Sequence, residues 1–272
     1  MSRFLAARDQ GRICLVGAPF DSTTSYRPGA RFGPDEIRRA SQGLETFSPE
    51  QENDLEDCAF TDMGDLELPF GDPSPALAMI EATIGELLDQ GKIPLLLGGE
   101  HLISLGAIRA VTGRFPDLRI VHLDAHADLR DDYLGQSLSH ASVIRRAIDV
   151  LGHDRVRQFG VRSCTREEYP LVKSLAADVP QIIAWAGGSS CYLTCDLDIL
   201  DPAAFPGTGT PEPGGISFQD LSETLVRLIG GLKVAGMDVV ELAPNMDTTG
   251  VSSITAAKIV RECIIALCRR RS

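Results

Sequence analysis

Apolar residues gather in short runs at positions 13–16, 58–61, 93–97, 118–123, 156–161, 181–185, 191–195 and 234–240. Many are rich in β-branched side chains. Apolar runs of about 4–8 residues between polar or glycine-rich stretches are the pattern of buried strands. Between several of them the apolar spacing changes to that of a helix. Ser74-Pro75 reads as an N-cap with proline at the first helical position. Leu77, Ile80, Ile84, Leu87 and Leu88 then hold one face, and Gly91 ends the helix. Ser217-Phe218-Gln219-Asp220 is a capping-box start for a helix that runs to Gly230-Gly231. Strand and helix alternate to the end, which predicts an α/β fold with a mainly parallel sheet. Residues 43–57 are polar and acidic and read as a surface loop with a short edge element. Residues 185–190 read as a turn between two strands. No low-complexity linker or internal repeat interrupts the pattern, so residues 1–272 are expected to form a single domain.

Composition narrows the functional classes. A net charge of −12 argues against a nucleic-acid partner, since phosphate binding needs a basic surface. The basic tail Arg269-Arg270-Arg271 fits a solvated helix end that suits the helix dipole. Seven cysteines without a Cys-x-x-Cys pair read as reduced thiols in a reducing cytoplasm. No apolar run approaches the roughly 20 residues of a membrane span, and the segment before Ile13 lacks the apolar core of a signal peptide. A cytoplasmic enzyme without membrane contact is the expectation.

The candidate chemistry lies at the ends of the predicted strands. Asp124-Ala125-His126-Ala127-Asp128 follows one apolar run, and Asp196-Leu197-Asp198 ends another. Side chains spaced by two point to one face of an extended chain, whereas a helix would scatter them. His101 follows the run at 93–97 through Gly98-Gly99-Glu100. Open α/β sheets bind ligands at the C-terminal ends of their strands. His101, Asp124, His126, Asp128, Asp196 and Asp198 make six candidate ligands, more than one zinc ion takes. Oxygen dominates the set, with two imidazoles, which suits manganese or a similar ion. The four carboxylates balance two divalent cations, and left uncompensated they would repel one another strongly. Two such ions generate hydroxide near neutral pH, so the reaction is a hydrolysis. The same mechanics would serve a phosphoesterase, and the metals alone do not choose.

Other residues do. Glu241, after the last apolar run, is placed to pair with a planar, forked cation, where a phosphate would want Arg or Lys. His140 is a candidate proton shuttle. His122 reads as a core or supporting histidine, and His153 as solvent-exposed.

The chain resembles the ureohydrolase family of arginases, agmatinases and guanidinobutyrases. The resemblance covers nearly the whole chain. It runs through Gly17-Ala18-Pro19-Phe20-Asp21, Tyr26-Arg27-Pro28-Gly29-Ala30-Arg31-Phe32-Gly33-Pro34, Gly98-Gly99-Glu100-His101 and the five residues from Asp124. It continues through Asp196-Leu197-Asp198-Ile199-Leu200-Asp201-Pro202 and Pro206-Gly207-Thr208-Gly209-Thr210-Pro211-Glu212-Pro213-Gly214-Gly215, and closes with Asp238-Val239-Val240-Glu241. The run from Thr208 leans toward agmatinase-type members. The resemblance implies a three-layer αβα fold around an eight-stranded parallel sheet, a binuclear manganese site, and a trimer or hexamer. One manganese would take His101, Asp124, Asp128 and Asp196. The other would take His126, Asp124, Asp196 and Asp198, with Asp124 and Asp196 bridging. A hydroxide between the ions would attack the guanidinium carbon held by Glu241. Asp128 would help move the proton to the departing amine, and His140 would exchange protons with solvent. Ala141-Ser142 after the shuttle histidine and Cys195 before Asp196 depart from the commoner family pattern without touching a ligand.

The implied reaction is hydrolysis of agmatine to putrescine and urea. Arginases carry a Ser-Gly-Asn type loop before the shuttle histidine for the substrate carboxylate. Here Arg130-Asp131-Asp132-Tyr133-Leu134-Gly135-Gln136-Ser137-Leu138 stands in that interval. Asp131 and Asp132 would favour an amine if they face the pocket, and are otherwise solvated loop charges. The alternatives are guanidinobutyrate or arginine as substrate, a single-zinc deacetylase-like enzyme, and a non-catalytic relative.

Overall fold

The structure is a computed structural model that describes residues 2–269. Seven parallel strands form its main sheet, in the order β4-β1-β5-β9-β8-β6-β7. They are β1 (Ile13–Ala18), β4 (Phe60–Asp65), β5 (Ile93–Gly98), β6 (Arg119–Leu123), β7 (Val156–Phe159), β8 (Ser190–Asp196) and β9 (Lys233–Val240). The segment expected to be a loop at 43–57 carries a small antiparallel pair, β2 (Phe47–Ser48) and β3 (Asn53–Asp54). Its Ser48 and Gln51 are buried against Glu262.

Strand residues alternate between two apolar layers. Leu15, Leu95, Leu97 and Leu193 pack with α1 (Gly33–Ser41), α6 (Val179–Ala186), α7 (Phe218–Gly231) and α8 (Val251–Arg269) on one face. Cys14, Val16, Leu96, Ile120 and Tyr192 pack with α2 (Pro73–Asp89), α3 (Ser104–Arg114), α4 (Val143–Leu151) and α5 (Tyr169–Leu175) on the other. The result is the expected αβα sandwich.

The eighth expected strand is absent from this sheet, because residues 181–185 lie inside α6. Asp178 and Gln181 cap that helix reciprocally, with bonds of 2.9 Å each way. Val179, Ile182 and Ala186 are its buried positions, a helical spacing. A capping box ahead of a short apolar run outweighs the run's β-branched content. Residues 185–190 therefore join a helix to β8, with Gly187 in the left-handed conformation at the helix end. The first long helix begins earlier than Ser74-Pro75 suggests. Asp72 is its N-cap, accepting from the Ser74 amide at 2.9 Å, and Pro73 opens the first turn. The capping box at Ser217 and Asp220 forms as expected. In the basic tail, Arg269 ends α8 and donates to the Gln51 carbonyl, while Arg270 and Arg271 lie outside the described residues.

Candidate metal centre

Four neighbouring strands, β5, β9, β8 and β6, bring their C-terminal ends together, and every candidate ligand comes from one of these ends or the turn after it. β5 passes through Gly99 and Glu100 into His101, β6 into Asp124, β8 ends on Asp196, and β9 runs into Glu241. Side chains at the glycine pair would collide with their surroundings. A Cβ on Gly98 would sit 2.4 Å from Val240 Cγ1, and one on Gly99 would sit 2.0 Å from the Phe20 carbonyl oxygen. The pair lets β9 and the loop after β1 press directly against the His101 turn.

His101 Nδ1 lies 3.0 Å from Asp124 Oδ2, 3.1 Å from Asp128 Oδ2 and 3.3 Å from Asp196 Oδ2. His126 Nδ1 lies 2.8 Å from Asp198 Oδ2 and 3.6 Å from Asp124 Oδ1. Asp124 thus belongs to both groups of possible metal ligands. All six residues come together, though not as an extended face. β6 stops at Leu123, Asp128 takes a left-handed backbone with φ 53°, and Asp198 lies in a 3-10 turn capped by Asp196 at 2.7 Å. The chain folds back on itself after each strand, which sets Asp128 beside His101 and His126 beside Asp198.

The donor set fits divalent cations. His101 Nδ1 is buried without a well-formed hydrogen bond, although three carboxylate oxygens surround it. Burial opposes charge on His101, yet Asp124, Asp128 and Asp196 together raise its pKa well above the ordinary value. Burial likewise opposes charge on His126, but Asp124 and Asp198 push it up to about 12. Two of the carboxylates show the same demand for positive charge. Burial, then Asp198 and Asp124, raise Asp196 well above the usual range. Burial and Asp124 raise Asp198 to about 6. A cluster that holds protons this tightly is one that a cation would discharge.

His122 is close to the cluster but is not placed as a ligand. Gln158 Nε2 donates to His122 Nδ1 at 2.9 Å, and its other proton goes to the Ala127 carbonyl at 2.8 Å. Nδ1 must then accept, so Nε2 carries the proton and donates to Asp124 Oδ2 at 2.8 Å. His122 is the buried, supporting residue expected. His153 is exposed beside Asp154.

Glu241 and His140 line the same cavity of about 280 Å³ as His101, His126, Asp128, Asp196 and Asp198. Glu241 is buried with a left-handed backbone, φ 67°, and its Oε1 accepts from the His101 amide at 2.7 Å. Burial and the nearby Glu100 raise its pKa well above the usual range. His140 Nδ1 donates to the Thr23 carbonyl at 2.9 Å, which leaves Nε2 as the acceptor, 3.1 Å from Ser25 Oγ. Burial lowers the His140 pKa, which favours the neutral imidazole. Asp131 and Asp132 do not line this cavity. Asp131 is exposed and paired with Arg145 and Arg146, and Asp132 caps a turn at Gly135. The wall instead carries Arg130, stacked on Tyr133 at 4.9 Å, and Glu168.

Several site residues escape the sequence reading. Glu100 holds Thr23 and Thr24 through both its oxygens, and Thr23 in turn accepts from the His140 amide. Arg162 donates to the carbonyls of Asp198, Ile199, Leu200, Glu212 and Pro213, and so clasps the Asp198 turn to the loop at Thr210. The four consecutive hydroxyl residues Ser22-Thr23-Thr24-Ser25 were the one local signal for the first network. Arg162 has none, because its partners are backbone atoms far along the chain.

Fold and site together define a class: a parallel αβα protein whose central strand ends hold an acid–imidazole cluster suited to two divalent cations. The Arginase family profile matches residues 11–266, and the chain belongs to that family. It is 42% identical to an agmatinase of Halalkalibacterium halodurans over 94% of this chain and 92% of that protein. It is also 42% identical to an agmatinase of Bacillus subtilis, over 96% and 95%. The solved agmatine ureohydrolase of Thermoplasma volcanium superposes with a TM-score of 0.89 at 34% identity, covering 98% of this chain and 94% of that one.

Proposed function

We propose that this chain is a manganese-dependent ureohydrolase that converts agmatine to putrescine and urea, a step of polyamine biosynthesis. The observation that carries the reading is a cation-demanding cluster and a buried carboxylate, Glu241, in one cavity. The agmatinase relatives support the substrate. His101, Asp124, Asp128 and Asp196 would hold one ion, and His126 and Asp198, again with Asp124 and Asp196, would hold the other. An oxygen-rich set with two imidazoles favours manganese. When bound, the ions supply Lewis acidity and a hydroxide at neutral pH.

The chain's own residues do the rest. Glu241 grips the guanidinium, and its bond to the His101 amide fixes the plane of the carboxylate before substrate arrives. Asp128 carries a proton to the departing amine. His140 accepts and releases protons at Nε2 toward solvent. Glu168 attracts the ammonium at the far end of agmatine. We also propose that residues 1–272 form one domain, that the protein is cytoplasmic, and that it works as a trimer or hexamer. Among the described residues no helix is long and apolar enough to cross a membrane.

Arg130 on the cavity wall favours a second substrate, guanidinobutyrate, whose carboxylate it would pair with. The presence of two groups of possible ligands, one containing His101 and the other Asp198, counts against a single-zinc deacetylase or a non-catalytic relative. Urea release from a panel of guanidino compounds, with manganese counted per chain, tests the proposal. Two ions and a preference for agmatine support it. No urea from any guanidino compound overturns it.

A further inference from the structure

We infer that Asp238, acting through the Thr194 hydroxyl, is a positioning residue that fixes His101 in the tautomer able to offer Nδ1 to a metal. The inference rests on the two-ion reading above. His122, Thr194 and Asp238 are register partners across β6, β8 and β9, one polar row inside an apolar layer. All three are fully buried. A carboxylate in such a place needs donors around it. Asp238 Oδ1 accepts from Thr194 Oγ1 at 2.7 Å, and Oδ2 accepts from the Tyr192 hydroxyl at 2.8 Å.

The direction of these bonds sets the next one. Thr194 has one hydroxyl proton, and an ionised carboxylate can only accept it. Toward His101 Nε2, 2.8 Å away, Thr194 must then accept. Nε2 therefore keeps its proton, and Nδ1 is the nitrogen that would give up the other and offer its lone pair to a cation. Nδ1 is the atom that faces Asp124, Asp128 and Asp196. Ser104 Oγ lies 3.3 Å from Thr194 Oγ1, and burial, which raises the Asp238 pKa, is countered by the hydroxyls of Thr194, Ser104 and Tyr192. Without Asp238 the Thr194 proton is free to turn to Nε2, and the imidazole proton moves to the face where a metal would bind. The arrangement is a carboxylate–hydroxyl–histidine relay behind a ligand. Supporting partners of this kind typically change metal affinity about 10- to 100-fold.

The test uses the full-length protein and manganese alone. Thr194→Val keeps the side-chain shape without the hydroxyl. Thr194→Ser keeps the hydroxyl, and Asp238→Asn removes the charge at nearly constant shape. Manganese affinity is read by titration, and the pairing of the ions by electron paramagnetic resonance. Thr194→Val should bind the first ion like wild type and the second about 10- to 100-fold more weakly. The exchange-coupled signal of the pair should give way to the six-line signal of an isolated ion. Thr194→Ser should restore the coupled signal, and Asp238→Asn should weaken the second ion by at least about 10-fold. Unchanged melting of the metal-free variants would exclude a general packing defect. Wild-type protein that binds no pair of ions defeats the reading above. Wild-type protein that binds two, with Thr194→Val or Asp238→Asn binding both as tightly, overturns this inference alone.

Discussion

Replacing Glu241 with glutamine exchanges one oxygen for nitrogen at a buried position and should separate catalysis from stability. The shared Oε1 keeps its bond from the His101 amide, so the local backbone has no reason to move. What disappears is the negative charge that would face the substrate guanidinium. Removing one partner of a buried ion pair costs about 3–5 kcal/mol. The structure argues for the lower end. Burial and Glu100 already hold the Glu241 pKa well above its ordinary value, so binding a cation must first drive off a proton. A loss of about 3 kcal/mol is a fall in kcat/KM of roughly 10²-fold. Stability should move the other way. The folded pKa lies above the unfolded value near 4.5, so the unfolded chain ionises first as pH rises. Wild-type stability is then lost from pH 4.5 upward toward the folded pKa, and glutamine removes that loss. Metal-free Glu241→Gln should therefore melt above metal-free wild type at neutral pH and converge with it below pH 4.5. Each kcal/mol recovered raises Tm by about 2 °C in a chain of this size. Steady-state urea release, manganese content and melting curves in chelator provide the readings. A fall in kcat/KM of less than about 10-fold with both ions retained would refute the guanidinium role. A lower Tm at neutral pH would refute the electrostatic account.

Further expectations concern the ligands, the shuttle and the substrate. Asp124→Asn and Asp196→Asn should each lose both ions by elemental analysis, while His101→Ala should weaken mainly one; two ions and full turnover in Asp196→Asn would break the bridging assignment. His140→Ala should lower kcat about 10²- to 10⁴-fold at unchanged metal content. Because burial lowers the His140 pKa below its ordinary 6.5, the acid limb of the wild-type rate profile should fall below that pH and vanish in the variant. Agmatine should be preferred over arginine by at least about 10² in kcat/KM, or roughly 2.7 kcal/mol, with Glu168→Gln narrowing the gap; equal turnover of arginine contradicts the choice of substrate.

The strand runs were legible because a parallel sheet covered on both faces writes itself as continuous apolar segments. Residues 181–185 show where that signal fails. A short apolar run can be strand or helix, and here the Asp178–Gln181 cap decided it. The ligands were legible from residue type and spacing, but not the reason they converge. The spacing by two suggested one extended face, whereas the chain turns sharply at Asp128 and after Asp196. Asp131 and Asp132 were candidates for the pocket wall because sequence cannot orient a loop. Their pairing with Arg145, Arg146 and Gly135 turns them outward. Glu100, Arg162 and Glu168 were invisible as site residues, since their contacts depend on tertiary closure.

The site also explains why its neighbourhood is built as it is. Asp128 and Glu241 both take left-handed backbones that non-glycine residues avoid, and each costs about 1–3 kcal/mol. Beside them sit carboxylates that burial and one another push toward protonation. A small domain could not carry both burdens. This one sets the cluster at the ends of four central strands, each paired on both sides and packed between two apolar layers. The rigidity needed to hold like charges together is then supplied from behind: by Gln158 and His122 on Asp124, by Arg162 on the Asp198 turn, and by Glu100 on the loop that carries Thr23 to His140. Gln158 as donor forces the direction of the His122 bond, and Glu100 as acceptor takes the Thr23 hydroxyl proton, so that Thr23 accepts from the His140 amide. The chain therefore controls which atoms face the cavity through residues that never enter it.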